Sequence, residues 1–459
     1  MEIQELRQLR PALERFFKRF QPCIKTRPSR RHLRTYVRGQ LGPLERKSIE
    51  PMALDAHVAP RTLQEFLSEH CWDEDGVTRK LHQVIQRDHG NEEAIAVVDE
   101  TTFPKCGEKT VGVQRQYCGA LGKVENCVAT VHIGFVSGDF HTLLDGDIYL
   151  PKSWAEDRVR CDEVGVPEDV GYRPKWEIAL DLLKRSLADG VKLRWLTADE
   201  VYGSVAEFRD GVADRGLIYM VEVSSALPGW SHRPAVEAPG VYLQGKSRVH
   251  PRLAPGAPRA RAVSKLWKRG GPSWQLFRVK DTQKGPVVWE VRESIFYPSR
   301  RSVPTDPVRL LVARNVLSGE VKYFLSCAPQ EIPLKKLLSV AFSRWHVEKI
   351  FKEGKGEVGL DHFEVRQYKS LKRHLILTSL SLYFLAHETD RLRGEKPGVD
   401  DLPGEGGGGG AARPGDVAAR EDAPAGGGGR EDRVLASHRA SGGGVARQGN
   451  APSTATSWH

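Results

Sequence analysis

The chain has 459 residues, enough for a sizeable core and two or three domains, which excludes a minimal binding module. Lys plus Arg outnumber Asp plus Glu by 69 to 59, a formal charge of +10, and this favours a polyanionic partner such as nucleic acid over an acidic protein surface. The 7 cysteines are scattered with no CxxC pair, so they indicate neither a zinc ribbon nor a disulfide framework and read as reduced thiols of an intracellular, cytoplasmic protein.

The opening stretch MEIQELRQLRPALERFF is amphipathic and lacks the apolar run of a secretory signal. Through residue 92 the pattern is helical: IQELRQLRPALERFFKRF, RRHLRTYVRGQLGPLER, RTLQEFLSEHCW and GVTRKLHQVIQRDH, with no strand. The second unit is rich in Arg, so residues 1–92 read as an all-α DNA-binding domain, with a plain basic bundle as the alternative.

From residue 93 the period changes. AIAVVDE is a short apolar run ending in acid, the pattern of a buried strand that delivers Asp99 at its C-terminal end. ENCVATVHIGFVS and FHTLLDGDIYLP follow as strands around the Gly138-Asp139 turn. Then come a helix in KWEIALDLLKRSLADG, a strand in LRWLTADE, a helix in AEFRDGVADRG and a strand in LIYMVEVSS. Residues 226–332, with many Pro and Gly and strand-like pieces such as PVVWEVRESIFY and VRLLVARNV, read as a β-rich insertion. Residues 333–392 return to helix, ending in HLILTSLSLYFLAH, which is too short for a membrane span and reads as a buried helix. The tail 393–459, Gly-rich and poor in large apolar residues, reads as disordered, or as the product of a shifted reading frame.

Three acids stand out by position: Asp99 and Asp199 at strand ends, and Glu348 in RWHVEKIFKEGK. At roughly 100° per residue, Arg344, Glu348, Phe351 and Lys355 share one helix face and Glu353 points the other way, with Gly354 and Gly356 expected to fray the helix. An exposed helix held by i,i+4 ion pairs is the alternative for this segment. Two aspartates brought together at neighbouring strand ends would repel unless a hard divalent cation lay between them. Singly, an acid after an apolar strand is more often a turn or helix cap than a ligand, and it is the conjunction that points to a metal site. Arg344 and Lys355 would then meet phosphates beside the metal. His346 reads as a packed or solvent-facing residue and Trp345 as a core anchor.

The segments VVDETTFPKCGEKTVGVQRQYCGALGKVENC, LTADEVYG and RWHVEKIFKEGKGEVGLDHFEVR resemble, in order, the three blocks of IS701-type transposases, DDE enzymes related to the IS4 kind. The resemblance spans roughly residues 30 to 390. It implies an α/β, RNase H-like mixed sheet with flanking helices, and a catalytic and metal-binding set of Asp99, Asp199 and Glu348 holding two Mg²⁺ or Mn²⁺ ions. The family's Tyr-Arg-Glu-Lys pattern is met by Arg344, Glu348 and Lys355, with Ala341 in the tyrosine position. DNA contacts are expected from Arg344, Lys355, Tyr202 and Arg366, and from a loop from Lys105 to Lys123 containing Lys109, Arg115, Gln116 and Tyr117. The implied activity is cleavage at terminal inverted repeats and strand transfer by a homodimer. A plain RNase H-type nuclease and a non-cleaving DNA-binding remnant are the alternatives.

Overall fold

The structure is a computed structural model that describes residues 3–241, 247–248, 250–267, 273–282 and 285–394. The tail expected to be disordered lies outside these residues from 395 onward.

The first region is helical as expected: α1 (Ile3–Arg19), α2 (Arg27–Leu41), α3 (Ile49–Asp55), α4 (Pro60–Ser68) and α5 (Glu74–His89). Their starts are set by local chemistry. The Thr26 hydroxyl accepts from Ser29 N–H at the head of α2, and the Asp73 carboxylate accepts from Gly76 N–H at the head of α5. α3 was not legible in the sequence, being a single short unit that buries Ile49, Met52 and Ala53.

β1 (Ile95–Pro104) is the centre of a mixed sheet. On one side it pairs antiparallel with β3 (Lys123–Ser137), which pairs with β4 (Phe140–Ile148) and, at its other end, with β2 (Gln114–Cys118). On the other side β5 (Trp195–Ala198) and then β6 (Ile218–Val223) run parallel to it. This antiparallel meander flanked by parallel strands is the RNase H-like arrangement implied by the sequence. Between β4 and β6 lie α6 (Lys152–Ala155), α7 (Arg158–Glu163), α8 (Lys175–Ala188), α9 (Glu200–Gly203) and α10 (Ala206–Ala213). β1, buried along Ala96–Val98, and β3, buried from Cys127 to Val136, carry apolar residues on both faces because helices cover both.

The strands read as an insertion extend this same sheet. Val321–Ser326 pairs antiparallel with β6, Val308–Asn315 with that strand, and Gly285–Arg300 with Val308–Asn315. The helix expected to run unbroken from residue 334 to 355 is two helices, Leu334–Phe342 and Trp345–Val358, separated at Ser343 and Arg344. Gly354 and Gly356 do not fray the second. It ends at Gly359, whose φ of +70° is a left-handed conformation suited to glycine. Gly134 on β3 lets this helix sit close, since a Cβ there would come 2.8 Å from Ile350 Cδ1.

The long helix Tyr368–Gly394 includes the expected apolar segment, and it is buried. It ties the N-terminal helices to the rest through polar groups with partners. Gln40 Nε2 donates to Thr378 Oγ1 at 2.9 Å, and Ser381 Oγ donates to Gln40 Oε1 at 2.7 Å. Arg373, with 1% of its side chain exposed, donates to Glu74 Oε1 at 2.7 Å and to the carbonyls of Phe66 and Leu67. Replacing it by Leu strands Glu74 and two carbonyls, so Arg373→Leu is expected to cost about 3 kcal/mol, read as a lowered urea midpoint. An unchanged midpoint would mean that this pairing contributes nothing net.

Candidate active site

β1 and β5 are in register with Val98 opposite Ala198, so Asp99 and Asp199 are the next residues on adjacent strands, whose backbones lie about 4.8 Å apart. Asp99 was expected at the end of its strand. Instead β1 runs on to Pro104, because residues 99 to 104 keep pairing with β3 after the ladder to β5 has stopped. Asp199 directly follows β5 and caps α9, its Oδ1 accepting from the N–H groups of Val201 and Tyr202 at 3.0 and 3.4 Å. The cap and the carboxylate pair are therefore the same residue.

Burial pushes the Asp99 carboxyl up, the neighbouring Asp199 charge adds to this, and despite Arg344 it reaches about 7. Asp199 is raised too, by burial and then by Glu100. The pair thus lacks positive charge.

What it has is Arg344. The helix break places this residue at the head of Trp345–Val358, where Nη1 donates to Asp99 Oδ2 at 3.3 Å and Nη2 to Glu348 Oε1 at 3.0 Å. Glu348 is 65% exposed in its side chain and is connected to Asp99 through this guanidinium. Glu353, on the opposite face, lies 3.3 Å from His141 and 3.7 Å from Lys349. Burial opposes its ionisation, but His141 and Lys349 outweigh it and lower the Glu353 pKa. The structure brings Asp99 and Asp199 together and does not close Glu348 onto them: among the described residues no three His, Cys, Asp or Glu side chains are gathered as an ion would need.

Two further residues adjoin this pair without joining it. Glu100 Oε1 accepts from Lys175 Nζ at 2.6 Å, and the buried Tyr202 hydroxyl lies against the Glu100 carboxylate. Burial, then the Glu100 charge, raises the Tyr202 pKa well above its usual value. The sequence did carry a signal for Glu100, since both acidic strand ends read Asp-Glu. Tyr202, expected to touch DNA, has no exposed surface, so that expectation fails: α9 turns it inward onto the core.

The other candidate DNA contacts divide. Lys109, Arg115 and Arg366 are exposed, and Lys109 and Arg115 line a polar cleft with Arg160 and Asn126. Lys105 donates to the Phe363 carbonyl at 2.7 Å and lies over the Phe363 ring, and burial lowers it to about 8. It is spent on the protein's own loop. Lys355 reaches the Thr102 carbonyl at 3.5 Å and is lowered by burial. The segment from Lys105 to Lys123 is not all loop, since β2 and β3 form a hairpin within it. Trp345 is 40% exposed rather than a core anchor, because the helix break turns its face to solvent. His346 is packed, with Nδ1 against the Ser343 carbonyl at 2.8 Å. Ala341 is buried under the sheet.

A buried carboxylate pair one residue past a parallel strand pairing, at the centre of an RNase H-like sheet, defines a class. The chain belongs to the DDE superfamily endonucleases, whose family model matches residues 19–286, more than half its length. Over 191 residues it is also 31% identical to the probable transposase for insertion sequence element IS701 of Microchaete diplosiphon, a match covering 41% of this chain and 47% of that protein. The chain thus spans about half the length of the relative it matches. Asp99 and Asp199 fall within the family match and Glu348 lies beyond it.

The raised Asp99 carboxyl has a measurable consequence. Below the ordinary Asp value, about 3.9, folded and unfolded states both hold the proton. Between there and about 7 the folded state alone holds it, so stability falls as pH rises across that window. In EDTA, Asp99→Asn is expected to raise the melting temperature by several degrees at pH 8 and by little at pH 5. Equal shifts at both pH values would contradict the buried pair.

Proposed function

We propose that the chain is a DDE transposase that binds the terminal inverted repeats of its element, cuts there and joins the freed end to target DNA. The observation that carries this is the Asp99–Asp199 pair on adjacent strands with Arg344 linking it to Glu348. The likeness to the IS701 protein supports it.

The donors fit a hard cation. Asp99 and Asp199 are buried carboxylates on adjacent strands, short of positive charge. Asp99, Asp199 and, once released from Arg344, Glu348 are the residues that would hold Mg²⁺ or Mn²⁺. Two such ions would supply an activated nucleophile and charge neutralisation at the scissile phosphate.

The chain's own residues orient the reaction. Water attacks phosphorus, the bond to the 3′ oxygen breaks, and the resulting 3′ hydroxyl then attacks a target phosphate as the target's own 3′ oxygen leaves. Arg344, whose guanidinium stands between Asp99 and Glu348, would be placed to bind a phosphate oxygen. Lys109 and Arg115 hold backbone further out. We assign end recognition to the helices of residues 1–92, catalysis to 93–225 and 333–392, and a supporting role to the strands of 226–332. A cytoplasmic homodimer, associated with the nucleoid if the source is bacterial, would pair the two ends.

The test uses a DNA fragment carrying the gene and both flanks, incubated with the protein and Mg²⁺ or EDTA. Metal-dependent cuts at the repeats, followed by joining to a second DNA, are expected, and Glu348→Gln should lose both while still binding the ends. Cleavage without joining would make the protein a nuclease, and binding without cleavage a remnant. Lys109→Ala and Arg115→Ala should each reduce the slope of log affinity against log salt by about 1, weakening all sequences alike. An unchanged slope would remove these residues from the interface.

A further inference from the structure

The β2–β3 hairpin carries an exposed apolar group that the proposed chemistry does not use. Tyr117 and Val124 are cross-strand partners, 65% and 55% exposed, and Leu121 in the connecting turn is 48% exposed. Such a group on a small ribbon is costly to leave in water without a partner.

The hairpin turn rests on β1 at Thr102. Ala120 N–H donates to Thr102 Oγ1 at 3.4 Å, and the Thr102 hydroxyl reaches the buried Cys118 thiol at 3.5 Å. Thr102 is three residues along β1 from Asp99, about 10 Å at the usual strand rise. Its carbonyl faces Lys355. That distance equals about three base steps of one DNA strand, at 3.4 Å each.

The charge around the tip selects the occupant. Residues 109–124 contain Lys109, Arg115 and Lys123 and no acid. Glu125, which follows, stands 3.2 Å from Lys123 and 3.9 Å from Arg115. An aromatic and two aliphatic side chains framed by cations fit a strand of DNA whose bases are partly unstacked, the cations on phosphate and the apolar tip between bases.

We propose that the hairpin tip is a wedge in which Tyr117, Leu121 and Val124 enter the duplex about three base pairs from the scissile phosphate and hold those pairs open for cleavage. This rests on the reading of the Asp99–Asp199 cluster as a DNA-cutting site. Tyr117 acts by positioning the strand and takes no part in bond making.

The test compares the full chain with the Tyr117→Ser, Val124→Ser double variant on two substrates made from the mapped element end. One is fully paired. The other carries three mismatched pairs next to the cut. The variant is expected to cut the paired end roughly tenfold or more slowly and to be restored to the unaltered protein's rate on the mismatched end. With 2-aminopurine placed at those pairs and Ca²⁺ in place of Mg²⁺, the unaltered protein should brighten the probe and the variant should not. Both sites are exposed, so the fold is retained, and matching melting temperatures check this. Equal rates on both substrates would overturn the wedge, as would a slowed variant that mismatches do not rescue. A variant that changes only the oligomeric state would make the patch a protein contact. If the unaltered protein cuts neither substrate, it is the reading of the catalytic cluster that fails.

Discussion

Parallel pairing of β1 with β5 sets two carboxylates side by side in a place with little water, and the resulting shortage of positive charge organises the surroundings. Water would screen such a pair cheaply at a surface. Here the protein supplies one guanidinium, Arg344, and to deliver it the chain breaks a helix at Ser343 and starts another whose first turn carries Glu348. The seat of that helix depends in turn on Gly134 of β3, where any side chain would push Ile350 away. Sheet register, a glycine and a helix break thus converge on one electrostatic demand.

The same logic separates cations that are free to meet DNA from those that are not. Lys105 is committed to the Phe363 carbonyl and ring, and Arg373 to the joint between α4, α5 and the long helix. In α2, Arg30 donates to the Ile24 carbonyl, and Arg34 and Arg38 both pair with Glu14, leaving Arg27 and Arg31 as exposed charge. A formal charge of +10 therefore overstates what a polyanion would feel near any one element. In the hairpin and its cleft Lys109, Arg115 and Lys123 are exposed, the last two sharing Glu125.

Much of the core was legible because its signals are local. The apolar run before Asp99, the long apolar run of β3 and the apolar helix through Leu377 and Leu382 each carry their burial in composition. The wheel also separated Glu348 from Glu353 correctly as to face, since one points to Arg344 and the other to His141. What the sequence could not show were consequences of pairing between distant segments. β1 continues past Asp99 only because β3 is beside it. β2 exists only as the partner of residues 123 to 127, and Tyr202 turns inward only because Asp199 caps α9. A period-2 or 3.6 pattern holds no information about such neighbours.

The central claim is that Asp99 and Asp199 form a cation site which Glu348 joins. Fe²⁺ substituted for Mg²⁺, with ascorbate and peroxide, releases hydroxyl radicals that cut the polypeptide beside the bound ion, and the fragments can be mapped by mass spectrometry. Cuts next to residues 99 and 199, joined by one near 348 when DNA is present and suppressed by excess Mg²⁺, are the expected result. Cuts that cluster elsewhere, or that persist unchanged in excess Mg²⁺, would contradict it.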